Sequence, residues 1–129
     1  GKGPLKKKLK EKIKSLKLEN NVKLLENTND TYGTLKSCDM YLSSSISESF
    51  GLTVLEALVL NKKIVISEIK ISHEIILSEH KDFISQLDKE LFAKKIIDLL
   101  NTDFKKYDNL YQTKFNYEKS INSYKKLFN

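Results

Sequence analysis

The sequence contains no arginine: all 23 of its basic residues are lysines. Arginine is the side chain favoured for bidentate contacts to phosphate and guanine, so a sequence-specific reader of nucleic acid is not expected. The single cysteine, Cys38, excludes an intramolecular disulfide framework and a multi-cysteine zinc site. Such sparing use fits a reducing, cytoplasmic compartment. With one proline, no repeat, no low-complexity tract and no long linker, nothing divides the chain. No run reaches the ~18 apolar residues of a membrane span. The first lysines lead into an amphipathic segment, so these residues do not read as a secretory signal.

The 129 residues are 40% hydrophobic and 31% charged, a globular mixture sized for one domain. The net charge of +6 is local. Residues 1–17 hold eight lysines and one glutamate, whereas residues 18–129 hold fifteen lysines and sixteen acids. The run Lys6–Lys17 reads first as a solvated helix face and next as a surface for an anionic membrane. Nucleic acid is not an expected partner.

Leu5, Leu9, Ile13 and Leu16 share one stripe of a helix expected over residues 4–18. Glu19-Asn20-Asn21 marks a turn. Strands are expected at Val22–Leu25, Met40–Ser43, Ile64–Ile66 and, weakly, Phe83–Ile84. Between them fall helices at 30–37, with Tyr32 and Leu35 inward, and at 51–60, with Leu52, Leu55 and Val59 on the apolar face. A helical turn is expected at 72–79. Asp88 caps a helix over Lys89–Leu100 that carries Leu91, Phe92, Ile96, Leu99 and Leu100 inward. Helical, aromatic-rich segments follow to Asn129. Alternating strands and helices predict an α/β chain with a parallel sheet.

The most informative stretch runs from Cys38 to Leu58. It joins a strand to a serine-rich loop at Ser44–Ser49, then to Glu48, Phe50-Gly51-Leu52 and a helix bearing Glu56. This resembles the donor-binding signature of glycosyltransferase family 4, retaining enzymes of the GT-B fold, in which two glutamates are separated by seven residues. Lys63–Ser67 resembles the family's next strand, and residues 89–100 the helix after its last strand. Phe115 through Tyr124 resembles its C-terminal helix, and Gly1-Lys2-Gly3-Pro4 the end of an earlier strand. The resemblance implies a Rossmann-like parallel sheet with flanking helices, the C-terminal half of a GT-B fold, with 105–129 as a helical segment of the same single partial domain.

A nucleotide sugar offers a diphosphate, a ribose diol and a hexose. The free N–H groups at a helix start suit the diphosphate, and Gly51 lacks a Cβ there. Glu56 lies about 7.5 Å further along at ~1.5 Å per residue, and its carboxylate can accept bonds from a ribose diol. The resemblance implies that Glu48 contacts the hexose or the reacting face. It assigns Phe50, Gly51, Leu52, Thr53 and Glu56 to donor binding, with no metal and no cofactor beyond the donor itself. A glycan or lipid acceptor is implied, held by an N-terminal domain outside this sequence.

Plain structural alternatives stand beside these roles. Glu56 can be a solvent-facing helix residue, Glu48 a helix-dipole partner, Phe50 a packing residue, and Ser44, Ser45 and Ser47 loop formers. His73 and His80 read as structural or exposed residues, and Cys38 as a small buried one. The sequence also departs from the family. Asn61-Lys62-Lys63 stands where a Gly-x-Pro is usual, and the glycines of the loop near Ile69–Glu74 are missing, although Glu74 keeps a glutamate. The domain's first strand and helix are missing too. The chain is therefore expected to be the C-terminal portion of a longer enzyme, a truncated gene product or one half of a split pair, inactive alone, and marginally stable, self-associating or dependent on a partner. A non-catalytic remnant or interaction module is the alternative.

Overall fold

Three short runs pair in parallel in the computed structural model, which describes residues 3–26, 28–104, 106–107, 109–116 and 118. They are β1 (Met40–Ser43), β2 (Lys63–Ser67) and β3 (Ile84–Ser85), in the order β1-β2-β3. Tyr41 lies opposite Ile64, Ser43 opposite Ile66, and Ser67 opposite Ser85. The helices are α1 (Lys6–Ser15), α2 (Thr31–Ser37), α3 (Leu52–Val59), α4 (Lys70–Ile75), α5 (Lys89–Leu100) and α6 (Leu110–Lys114), with a 3-10 helix at Ser78–Phe83. A parallel α/β arrangement results, as expected from the alternation, and it is Rossmann-like, as the resemblance implies. The β2 core residues Ile64, Val65 and Ile66 are almost fully buried, the condition that lets a continuous apolar run form a central strand.

The chain forms two compact units, residues 1–31 and residues 32–129. In the first, α1 buries none of its residues, and Leu5, Leu9 and Leu16 are half exposed or more. Lys6 Nζ reaches Glu26 Oε1 at 2.6 Å and holds that carboxyl below its usual range. Val22–Leu25 is not a strand. Its pattern is right, but a strand exists only through a ladder, and the Val22 N–H is already spent on the Leu18 carbonyl in a turn.

In the second unit, α3 presents the opposite face from the one the sequence suggested. Val54, Ala57 and Leu58 are buried, while Leu52 and Val59 are exposed and Leu55 is half-buried. The reason is Glu56. It shares the stripe of Leu52 and Val59, so burying that stripe would strand a carboxylate without a partner. The stripe of Val54, Ala57 and Leu58 carries no polar group. Tyr32 is likewise exposed, with the Lys36 ammonium 6.0 Å from its ring, and Leu35 alone of α2 is buried. Cys38 is half-buried and donates from Sγ to the Thr34 carbonyl.

The N-cap of α5 is as expected: Asp88 Oδ1 accepts from the Glu90 and Leu91 N–H groups at 2.9 and 3.0 Å. Its inward set is narrower. Leu91 and Leu100 are half exposed, leaving Phe92, Ile96 and Leu99 as the covered stripe, because a three-stranded sheet covers only one side of the helix. The turn expected at 72–79 starts earlier, as α4, and the last strand lies one residue later than expected, with Phe83 ending the 3-10 helix. Phe115 is the C-cap of α6; just beyond it Glu118 is helical and its N–H donates to Asn116 Oδ1 at 2.8 Å, while the rest of the helix expected from Phe115 to Tyr124 lies outside the described residues. Residues 119–129, including Tyr124, and also Gly1, Lys2 and Tyr117, lie outside the described residues.

The lost Gly-x-Pro is structurally absorbed. Asn61 adopts the left-handed conformation (φ 54°) just past α3. Its N–H reaches the Leu58 carbonyl and the Lys62 N–H reaches the Ala57 carbonyl, a Schellman ending that a glycine commonly provides. Unlike glycine, Asn61 adds a bond, accepting the Tyr107 N–H on Oδ1 at 2.7 Å. Tyr107 O–H in turn donates to the Lys62 carbonyl at 2.7 Å.

Tyr107 belongs to a ring cluster with His80, Phe83, Phe104 and Tyr111. His80 stacks on both Phe83 and Tyr111, and its Nδ1 lies 2.8 Å from the Tyr111 hydroxyl. Burial pushes the Tyr107 phenol well up and the Tyr111 phenol up to about 12. An unfolded tyrosine ionises near pH 10. Below that pH both states keep their protons, and the stabilisation is fully present. Above it the unfolded chain loses phenolic protons that the folded chain retains, so stability should fall as pH rises from about 10 towards 12. Tyrosinate absorbance near 295 nm should therefore lag in the folded chain and rise together with unfolding. Phenols that titrate fully at pH 10 while the chain stays folded would contradict this packing.

Candidate functional site

Ligands of open α/β sheets bind outside the carboxyl ends of the strands. Here that edge is made by Ser43 at the end of β1, Ser67 at the end of β2, the loop from Ser44 to Phe50, and the start of α3. Gly51 is the N-cap of α3, with φ 71° and ψ 44°. Its carbonyl accepts from Val54 and Leu55, while the Leu52 and Thr53 N–H groups find no acceptor among the described residues. These first-turn donors carry the positive end of the helix dipole.

Glu48 and Glu56 both stand at this edge, and both are exposed. Tyr41 connects them. Burial chiefly raises its phenol above the usual tyrosine range; the Glu48 and Glu56 carboxylates add to that rise, and hydrogen bonding with the Ser43 and Thr53 side chains opposes it. The Tyr41 phenol thus feels both carboxylates through space, Glu48 more than Glu56. Tyr41 was not among the residues singled out from the sequence. Strand alternation could have found it, since it shares with Ser43 the face of β1 that leads into the loop.

A second set of contacts ties the loop to the sheet. Ser45 Oγ donates to Glu48 Oε1 at 2.9 Å, Ser43 Oγ lies 3.2 Å from Ser45 Oγ, and buried Ser67 donates from Oγ to the Ser45 carbonyl. Phe50 and Leu52 project less cover: about half of the first and two thirds of the second is exposed.

Glu48 and Gly51 also line one crevice, together with Ser43, Ser67, Ile69, Ile71, Ser72 and Ile75. It leaves about 10 Å³ of space, room for no more than a water. Ile75 and Val54 occupy the place beside Gly51: a Cβ at position 51 would come within 2.8 Å of Ile75 Cδ1 and 3.7 Å of a Val54 methyl. Position 51 therefore needs glycine for packing and for its positive φ, whatever lies outside. A ligand at this edge would rest across the loop and the α3 amides rather than enter the crevice. Where the family's glycines are missing, Ile69 is the N-cap of α4, and its N–H donates to Ser72 Oγ at 3.0 Å. Glu74 is exposed, and its carbonyl accepts from Lys114 Nζ.

Among the described residues no cluster of three or more His, Cys, Asp or Glu side chains could hold a metal ion. His73 faces Glu68 across 3.6 Å, and His80 is committed to the ring cluster. No helix among the described residues is long and apolar enough to cross a membrane.

Comparison with known proteins places this geometry in context. The profile of the family described as "Glycosyl transferases group 1" matches residues 1–117. A protein of Methanocaldococcus jannaschii described as an uncharacterized glycosyltransferase is 34% identical over 94 residues, which are 73% of this chain. The matched part is 23% of that relative's length, so the chain corresponds to about a quarter of it.

Proposed function

Because the chain belongs to the group 1 glycosyl transferases, we propose that it is the donor-binding part of a retaining enzyme of the family 4 type. The whole protein would transfer a sugar from a nucleotide-sugar donor to a glycan or lipid acceptor, in polysaccharide biosynthesis. The observation that carries this reading is the placement of Glu48 just before and Glu56 just after the start of α3, where the Leu52 and Thr53 amides are unsatisfied among the described residues. In this reading the Leu52 and Thr53 N–H groups, with Gly51 between loop and helix, receive the diphosphate. Glu56 accepts the ribose hydroxyls. Glu48 faces the hexose and the reacting centre, and Phe50 covers the donor. Leaving-group charge is stabilised by these preorganised dipoles rather than by a metal.

Positioning an acceptor against the donor can supply ~7–11 kcal/mol of barrier lowering. The residues that would do this are proposed to lie elsewhere in the longer protein, which would work in the cytoplasm, with the lysine-rich α1 available to an anionic membrane surface. The 129-residue chain is therefore expected to bind donors without turning them over. Calorimetry with UDP, GDP and ADP tests the proposal. One of them should bind saturably below about 1 mM, a free energy of about −4 kcal/mol. Absence of binding by all three, or sugar transfer by the chain alone, would contradict it.

A further inference from the structure

Glu48 sits on a loop, exposed to solvent, and an unsupported glutamate there would sample several rotamers. The contacts around Ser45 oppose that freedom. The Ser45 hydroxyl has one proton, and it is directed at Glu48 Oε1 at 2.9 Å. Its oxygen can still accept from the Ser43 hydroxyl, 3.2 Å away at the end of β1. Its backbone carbonyl is held by the hydroxyl of Ser67, which is only 2% exposed at the end of β2. Ser45 is thus fastened at its side chain to one strand and at its backbone to the next. An isolated surface Ser–Glu bond would contribute little; one anchored on two adjacent strands has a fixed origin and a fixed direction.

We propose that Ser45 is the positioning residue for Glu48: it engages Oε1 and so presents Oε2 towards a hydroxyl of the donor sugar. This rests on the reading that Glu48 faces the donor. Ser43 and Ser67 act one step further out, by holding Ser45. The arrangement assigns a chemical role to the serine loop beyond joining a strand to a helix. It also separates the two glutamates: Glu48 is oriented through the loop, whereas Glu56 depends on α3.

The test has one arm that needs no ligand. Three-bond couplings across χ1 of Glu48, measured by NMR on the labelled chain, should report a single rotamer. Ser45→Ala should average them, and Ser45→Thr, which keeps a hydroxyl, should restore them. The alanine variant leaves the backbone carbonyl and its bond from Ser67 in place, so the rest of the spectrum should change little. In the second arm, UDP, GDP and ADP are compared with their glucose conjugates. Ser45→Ala should weaken the sugar-bearing ligand about five- to tenfold and leave the bare diphosphate unchanged. Glu48 couplings that are the same with serine and alanine at position 45 would overturn the proposal, as would equal weakening of both ligands. Failure of the unsubstituted chain to bind any of the six ligands would count against the donor reading, while the couplings would still decide the role of Ser45.

Discussion

Gly51→Val is expected to cost about 2–5 kcal/mol of stability. The left-handed conformation of Gly51 penalises any L side chain by about 1–2 kcal/mol and is least compatible with a β-branched one. A Cβ there would also meet Ile75 Cδ1 at 2.8 Å. Ile75 is 2% exposed, so its methyl cannot retreat into solvent and must displace other core atoms, an overpacking cost of about 1–3 kcal/mol. Urea unfolding of the variant should show a markedly lower midpoint at an unchanged slope. Gly51→Ala paired with Ile75→Val, which removes the obstructing methyl, should recover the steric part and leave the conformational part. A valine variant as stable as the original chain would mean that the loop enters α3 differently from the geometry described. Loss of ligand binding by this variant would say nothing about phosphate contact until its folding had been checked.

Glu56→Ala separates binding from folding. Glu56 is exposed on the outer stripe of α3, its side chain makes no hydrogen bond or ion pair among the described residues, and it is replaced by a strong helix former. Stability should change by no more than about 0.5 kcal/mol. Affinity for the nucleoside diphosphate should fall by roughly 1.5–3 kcal/mol, the range for hydrogen bonds to a charged group, or about ten- to a hundredfold. Deoxygenating the ribose of the ligand should have a similar effect on the unsubstituted chain and almost none on the variant. Equal affinities of the two chains for the ribonucleoside diphosphate would remove Glu56 from the ribose site.

Some of this site was legible because its determinants are local. The order of strand, serine loop, glycine and helix from Met40 to Val59 depends on residues within a few positions of one another. So does the capping of α5 by Asp88. The partners of Glu48 were partly legible: Ser45 lies three residues before it, although nothing nearby in sequence announces that Ser67 would clamp the same serine. Tyr41 was recoverable from strand alternation. The inward face of α3 was recoverable as well, since Glu56 lies in the stripe of Leu52 and Val59 and forbids its burial.

Other features were decided only by distant residues. Val22–Leu25 has the composition of a strand, but pairing requires a neighbour with free backbone groups, and composition cannot supply one. Leu91 and Leu100 were expected inward because amphipathic periodicity defines a face, whereas the width of the sheet defines how much of that face is covered. Asn61 reads as a departure from a glycine pattern until the Tyr107 N–H, 46 residues away, is seen to use its side chain. The sequence by itself thus determined the α/β alternation, the loop-to-helix junction and the spacing that puts two carboxylates at one edge, because each follows from backbone geometry over a few residues. Only the tertiary structure decided that Ile75 of α4 packs beside Gly51, and that the partly buried Tyr41 phenol feels both glutamates. Those outcomes depend on packing between segments that are far apart in the chain, where shape and exclusion of water, rather than local propensity, select the arrangement.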